Sequence, residues 1–363
     1  MKIGLVVPGF SAHERDWCIP ALLDLVRVLA RQAQVHVFSL RWPQRAACYD
    51  IYCAHVHALG GARRLGPRVA GLWARTVQAI ASEHRRGAFD VLHAFWVDEP
   101  GWVAAWAGRQ LGVPVVLSLA GGELARLPDI GYGLGMLPGR RWLVQRALGA
   151  ASAVTAGSRY FCEQAQAAGV APDIRWAPLG VDTDLFAPRP WAPATARTLI
   201  SVGSLLPVKD HALLLRVVRR AAEQVAGLQL VIAGEGPLAD ELAGQARGLP
   251  VHFLGAVDHA DLPALYAQAA LIVQTSRHEA QGLAVLEAAA RGVAPLGTAV
   301  GVLPEVGCAA AGESELADKL VEMLRDPAGV RALAASAQAK VHQDFELQTC
   351  VDRFVQIYAE VCR

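Results

Sequence analysis

The sequence predicts an α/β protein built as two doubly wound, Rossmann-like domains, each on a parallel sheet. Two observations carry that prediction. Short apolar runs alternate with helix-length amphipathic stretches along the whole chain, and the rhythm breaks once, at a proline-punctuated stretch, before it restarts. A third observation is the length of 363 residues, more than one hydrophobic core usually supports. With 53% apolar and 18% charged residues, the composition suits large buried cores rather than disorder.

Taken in order, candidate strands fall over residues 3–7, 35–39, 91–94, 115–119 and 153–155. A second series follows over 198–202, 229–233, 251–254, 271–274 and 294–296. Between them lie helical stretches over 20–32, 67–84, 102–111, 212–225, 261–268 and 283–291. Apolar runs without polar alternation read as strands buried on both faces, which is the pattern of parallel βαβ sheets. The break over 187–197, with Pro188, Pro190 and Pro193, divides a first domain (1–188) from a second (189–346). A last amphipathic stretch within 347–363 packs on either domain, a return to the first being one arrangement. Ligands of doubly wound sheets bind beyond the carboxyl ends of the strands, so the expected site is a cleft between two facing domains.

Composition excludes several classes. A net charge of +1 gives no field to gather nucleic acid, so no such partner is expected. No run of about 18 apolar residues exists to make a transmembrane helix. Residues 1–10 are apolar too briefly for a signal peptide and meet His13-Glu14-Arg15-Asp16 at once, so they read as a first buried strand. The seven cysteines are scattered, without a CxxC pair or a Cys/His group of zinc spacing, so a reduced, cytoplasmic protein with no metal site is expected. Arg63, Arg64, Arg68, Arg75, Arg85 and Arg86 surround Trp73, and Arg140-Arg141-Trp142 lies near Arg146. These groups suit either peripheral contact with the inner face of a membrane or a solvated helix face.

Three segments of the second domain carry chemistry. Gly203-Ser204-Leu205-Leu206-Pro207-Val208-Lys209-Asp210 leads from a strand into a helix, and a glycine turn before a helix N-terminus suits a phosphate. Lys209 would add a compact charge, although an ordinary βα loop reads the same. Only four lysines (Lys2, Lys209, Lys319 and Lys340) stand against 30 arginines, which singles this one out. Gly234-Glu235-Gly236-Pro237 lacks the context of a dinucleotide fingerprint and reads as a turn. In Glu279-Ala280-Gln281-Gly282-Leu283-Ala284-Val285-Leu286-Glu287, the second glutamate is a lone carboxylate on a helix apolar nearly all round. It needs donors: ribose hydroxyls would serve, as would an internal arginine such as Arg277 or Arg291.

The run Ser276-x-x-Glu279-x-x-Gly282-Leu283-x-x-x-Glu287-Ala288 resembles the E-x7-E signature of family 4 retaining glycosyltransferases, which have the GT-B fold. Ser201-Val202-Gly203-x-Leu205-x3-Lys209 is similar to that family's diphosphate loop, and Pro178-Leu179-Gly180-Val181-Asp182-x3-Phe186 to its P-x-G-V-D-x3-F segment. The resemblance spans almost the whole chain and implies transfer of a sugar from a nucleotide-diphosphate sugar, without metal or cofactor. The acceptor would be a hydroxyl of a glycan, a lipid-linked sugar or a small molecule. Lys209 would neutralise the diphosphate as the bond to the sugar breaks, and Glu279 would hold the sugar's hydroxyls. Gly203 and Ser204 would line the diphosphate; the backbone of Gln281, Gly282 and Leu283 would meet the sugar and distal phosphate. Glu287 would grip the ribose and Leu254-Gly255 would flank the base. UDP is the commoner nucleotide in the family.

The chain departs from the family pattern at several positions. The family's arginine five residues before its lysine is Ser204 here, which leaves a second cation to come from elsewhere, with Arg277 and His278 the candidates by position. In the first domain the usual histidine before the glycines is Ala120, followed by Gly121 and by Glu123, a substitute polar contact to sugar or acceptor. The family's other histidine is Phe95, and His93 reads as a packing residue rather than a catalyst. Gly9 keeps the close approach of the N-terminal loop. A second class therefore stands beside the enzyme: a catalytically weak or inactive nucleotide-sugar-binding protein or accessory subunit on the same fold. A GT-B epimerase or phosphorylase is a third, against which the E-x7-E order speaks.

Overall fold

Unbroken apolar runs become the inner strands of two parallel sheets. The computed structural model describes residues 1–16, 18–61, 69–171, 173–188 and 197–363. By internal contacts the chain divides into a first unit, 1–180 with 347–363, and a second, 181–346.

The first unit's strands are β1 (Lys2–Gly9), β2 (Gln34–Trp42), β3 (Ala47–Ile51), β4 (Ala54–Ala58), β5 (Val91–Phe95), β6 (Val115–Leu119), β7 (Ala153–Ala156) and β8 (Arg175–Trp176). Among the described residues they form one sheet in the order β3-β4-β2-β1-β5-β6-β7-β8. Only the β3–β4 pairing is antiparallel there. The crossovers are α1 (Pro20–Leu29), α2 (Val69–Arg86), α3 (Glu99–Leu111), α4 (Pro138–Leu148) and α5 (Arg159–Ala167). The hairpin β3–β4 is absent from the sequence expectation because its strands mix polar and apolar residues at the sheet's edge.

The second unit runs β9 (Thr198–Val202), α6 (His211–Ala222), β10 (Gln229–Ala233), α7 (Ala239–Gln245), β11 (Val251–Gly255), α8 (Leu262–Tyr266), β12 (Leu271–Gln274), α9 (Leu283–Ala290), β13 (Ala294–Thr298), α10 (Leu303–Val306), β14 (Cys308–Ala310), α11 (Glu313–Arg325) and α12 (Pro327–Asp344). Its sheet is parallel, in the order β11-β10-β9-β12-β13-β14. The order reverses at β9–β12, and the loops after those two strands carry Lys209 and Glu279.

The unit boundary lies at Gly180–Val181, ahead of the proline-rich break, of which residues 189–196 are outside the described residues. Val181 N–H donates to Phe345 C=O at 2.8 Å, and the Phe186 ring packs 5.4 Å from His259 and 6.0 Å from Tyr266. These contacts make residues 181–188 part of the second unit. The last helix, α13 (Leu347–Val361), belongs to the first unit, where Phe354 and Tyr358 are fully buried. Gly180 meets that helix so closely that a Cβ on it would lie 2.5 Å from Leu347 Cα.

Inside the first unit His93 belongs to a buried polar chain, as its reading as a packing residue leads one to expect. His93 lies within β5, its Nδ1 2.6 Å from Tyr358 Oη and its Nε2 2.8 Å from Ser118 Oγ, which in turn lies 2.6 Å from Thr155 Oγ1. Burial pushes the imidazole pKa down to about 3, so the ring is neutral and structural.

Candidate functional site

The geometry of the second unit is set by its glycines. Gly203, at φ +157°, follows β9, and Gly234, at φ +147°, follows β10 beside it. A Cβ on Gly234 would sit 1.9 Å from Gly203 C=O, so close packing of two backbone loops, rather than a ligand, requires this glycine. Leu205 N–H then donates to Glu235 C=O at 2.8 Å, which ties the two loops together.

The loop closes in a short 3-10 turn over Pro207–Lys209. Asp210, in the left-handed region at φ 45°, caps α6 by accepting from Leu213 N–H at 3.1 Å. That carboxylate takes the position an anion would want at α6, so this helix end is not open to phosphate. Helix α9 differs. Its N-cap is Gly282, at φ 101°, with no side-chain cap hydrogen bond, and such an end favours negative charge.

Lys209 and Glu279 are brought together across the two loops. Lys209 Nζ lies 2.5 Å from Glu279 Oε1, and Ser276 Oγ donates to the same oxygen at 2.7 Å. The loops are pinned by Thr275 Oγ1, which donates to Lys209 C=O at 3.1 Å and Asp210 C=O at 2.9 Å, and by Arg277 N–H, which donates to Val208 C=O at 2.8 Å. Residues 277 and 278 thus border the Lys209 turn, while Ser204 in the usual arginine's place is exposed. Gly301, at φ +60°, lets the next loop seat against Gln281, and Val302 N–H donates to Gln281 C=O at 2.7 Å.

Glu287 is held by neither of the arginines the sequence offered. Its Oε1 accepts from His259 Nε2 and its Oε2 from Tyr266 Oη, each at 3.0 Å. Arg291 instead binds the C=O groups of Pro263 and Ala187. Burial and the Glu287 charge push the Tyr266 hydroxyl pKa well up, so it remains a donor. His259 and Tyr266 are therefore the partners of Glu287 that sequence reasoning missed; they stand 28 and 21 positions away on a separate turn and helix. Leu254 and Gly255 end β11; Leu254 is 47% exposed and Gly255 accepts from Gly234 N–H at 2.8 Å.

The first unit's predicted residues are not gathered in this way. Glu123 is buried, and both carboxylate oxygens serve the backbone: Oε1 accepts from Val97 and Ala120 N–H, each at 3.2 Å, and Oε2 from Gly121 N–H at 2.7 Å. Burial raises its pKa while those N–H groups oppose the rise. It braces the loop from within, and that corrects its assignment as a contact to sugar or acceptor. Gly121 packs against Trp96, whose Nε1 would lie 2.7 Å from an added Cβ. Gly9 ends β1, with Trp42 and Cys18 at 3.2 and 3.1 Å from its own missing Cβ.

Of the basic residues, Arg63, Arg64 and Arg68 lie outside the described residues. The Trp73 indole donates to Glu99 at 3.1 Å and Arg140 pairs with Asp98 at 2.9 Å, so these two are tied internally. Trp142 is 49% exposed, with the Arg146 guanidinium 5.4 Å above its ring and Trp102 5.4 Å away, and these three help line a groove of about 490 Å³. Among the described residues no helix is long and apolar enough to cross a membrane. The sequence showed no zinc-like spacing, yet folding does gather Cys48, His55 and His57.

Residues 186–338 match the family described as glycosyl transferases group 1, and residues 21–185 match glycosyltransferase family 4. The chain is 30% identical over 282 residues to a GDP-mannose-dependent α-(1-6)-phosphatidylinositol monomannoside mannosyltransferase of Mycobacterium tuberculosis, covering 69% of this chain and 73% of that one. It is 36% identical over 144 residues to a glycogen synthase of the same organism, but the match spans only 35% of that enzyme. Among solved structures, sucrose-phosphate synthase from Thermosynechococcus elongatus superposes with a TM-score of 0.77 at 20% identity, covering 99% of each chain. Anabaena HepE in complex with UDP and glucose gives 0.75, also at 20% identity and 99% coverage of each. At that identity the likeness speaks for the GT-B fold of two parallel-sheet α/β domains.

Proposed function

The chain belongs to glycosyltransferase family 4, and on that premise we propose that it moves a sugar from a nucleotide-diphosphate sugar to a hydroxyl acceptor with retention of configuration. The observation that carries the reading is one turn of the second unit. There the Gly282 end of α9, free of a side-chain cap, lies between Glu279, bound to Lys209, and Glu287, bound to His259 and Tyr266. The α9 N-terminus, with about half a positive charge, takes the distal phosphate. Lys209 has three donors, enough to bind diphosphate oxygens while keeping Glu279. Glu279 then faces the sugar's hydroxyls and Glu287 the ribose. Charge on the departing diphosphate is stabilised by fixed protein groups rather than by a metal ion, and the phosphate takes the acceptor's proton on the same face.

Ser204 favours a second reading, a nucleotide-sugar binder that transfers poorly, because one ammonium already paired with Glu279 leaves diphosphate charge uncompensated. The test is a thermal-shift panel of UDP, GDP and ADP, with UDP the expected nucleotide and GDP the one named for the mannosyltransferase relative, followed by transfer from the matching sugars. Stabilisation with sugar release supports the enzyme. Stabilisation without release, and Lys209→Ala changing only affinity, supports the binder. The Trp142–Arg146 groove supports peripheral contact with anionic lipid; absence of binding to phosphatidylserine vesicles at low salt sinks that part alone.

A further inference from the structure

The edge of the first unit's sheet gathers more metal-ligating side chains than its neighbours require. Strand β4 pairs with β2 in parallel, matching His36 with His55 and Phe38 with His57. It pairs with β3 antiparallel, matching Cys48 with His57 and Asp50 with His55. Side chains two apart on a strand share a face, and directly paired residues stand side by side. Register therefore places Cys48, Asp50, His36, His55 and His57 on one face. Val37, Val56 and Ile51 point the other way, into the apolar core.

We propose that Cys48, His55 and His57 form a binding site for a single divalent zinc-class cation. Their ligand atoms all lie within 4.8 Å of one another. Cys48 Sγ is 3.7 Å from His57 Nδ1, long for a hydrogen bond but close to the S···N edge of about 3.6 Å in a tetrahedron with zinc–sulfur and zinc–nitrogen bonds of usual length.

The remaining ring nitrogen of each histidine meets a polar partner. His55 Nδ1 lies 2.6 Å from Asp50 Oδ1, so it carries the proton and leaves Nε2 for the ion. His57 Nε2 lies 3.3 Å from His36 Nδ1 and His57 Nδ1 faces Cys48 Sγ, so ligation through Nδ1 takes the tautomer that donates from Nε2 to His36, whose Nε2 then turns its proton toward Gln34. Such outer partners fix tautomer and ring orientation around a metal.

A deeper trio, His36, His57 and Glu83, competes for the same histidine. It is the poorer site. Glu83 Oε1 is already bound by Arg86 at 2.6 Å, and Lys2 Nζ reaches in to bind the Glu83 C=O at 2.9 Å and Gly87 C=O at 2.7 Å. Two cations next to a cation site oppose filling it. The outer trio has Asp50 beside it and, among the described residues, is bonded to no lysine or arginine. Thiolate with imidazole selects zinc-class ions over magnesium or calcium, and three protein ligands leave one position for water. Binding converts the Cys48 thiol to a thiolate and releases one proton to solvent. The ion would clasp the outermost hairpin to the sheet.

The test uses the full chain, reduced and freed of metal by chelation, titrated with Zn²⁺ against a chromophoric chelator and with Co²⁺ by absorption. One equivalent should bind, and the Co²⁺ form should show tetrahedral d–d bands with a thiolate charge-transfer band in the near ultraviolet. Cys48→Ser should abolish the charge-transfer band, and both it and His55→Ala should weaken Zn²⁺ at least tenfold. Both residues are at least partly exposed, so the metal-free melting point should hold and report an intact fold. Cys53→Ser, in the hairpin turn, should change nothing. Absence of saturable binding overturns the proposal. So does binding that survives Cys48→Ser, or that is lost instead in Glu83→Gln.

Discussion

Glu287→Gln separates a carboxylate that merely satisfies its neighbours from one that also grips ribose. A carboxylate offers about four lone-pair sites. His259 and Tyr266 each use one, on different oxygens at 3.0 Å, which leaves one on each oxygen for the vicinal hydroxyls of a ribose. In the amide variant the oxygen keeps the His259 bond and the NH₂ group turns to Tyr266, whose hydroxyl can accept. The internal bonds survive as neutral ones, at a cost of about 1 kcal/mol each, and the unfolding midpoint should fall by only a few degrees. One ribose hydroxyl, however, loses a charged acceptor worth about 1.5–3 kcal/mol, so nucleoside diphosphate should bind roughly 10- to 150-fold more weakly. Calorimetric titration with the parent nucleotide and its 2′- and 3′-deoxy forms gives a double cycle. In the wild type the deoxy forms should bind more weakly; in the variant one of those losses should vanish. If both deoxy losses persist unchanged in the variant, residue 287 does not touch ribose and the donor geometry argued from α9 is wrong.

Three further outcomes follow from the same structure. Lys209→Ala should lower kcat about 10²- to 10³-fold with little change in melting temperature, read by sugar-transfer rates, since it removes one charged donor from a developing oxyanion. Gly234→Ala should destabilise the second unit by more than 1 kcal/mol and disturb nucleotide binding, because its φ of +147° and a 1.9 Å clash with Gly203 C=O force the two loops apart; chemical denaturation with a binding titration checks both. His93 has a folded pKa depressed to about 3 against about 6.5 unfolded. The unfolded chain binds the extra proton, so the contribution of this group is fully present above pH 6.5 and is lost as pH falls toward 3. Each unit in that window costs about 1.4 kcal/mol. The pH slope of stability should drop by one proton in His93→Gln, measured by denaturation between pH 7 and 4.

The α/β fold class was legible because inner parallel strands are written as unmixed apolar runs. Residues 115–119, 198–202, 229–233 and 271–274 form strands with the bounds the sequence suggested. The hairpin 47–58 was not, since an edge strand half-facing polar side chains carries no such run. For the same reason its cysteine and histidines looked scattered: the ligand set is assembled by register between strands, which spacing along the chain does not encode. At the donor side, the need of Glu287 for donors was visible in its apolar helix, but their identity was not, because α8 and the turn before it are brought to α9 only by packing. Glu123 shows the converse failure. A glutamate in a glycine loop looks like a ligand group until three backbone N–H donors are found on it.

The membership of α13 in the first unit has a consequence for how the protein is made. The Tyr358 hydroxyl that satisfies His93 and the Phe354 ring beside it arrive 265 and 261 positions after that histidine. A ribosome makes them after residues 181–346. Until then the first unit holds an unfilled groove along α1 and an unanswered polar atom in its sheet, while residues 181–346 can already close their own core. Synthesis order and folding order are thus inverted for the two halves, and a nonsense codon within α13 would injure the part of the protein translated before residues 181–346.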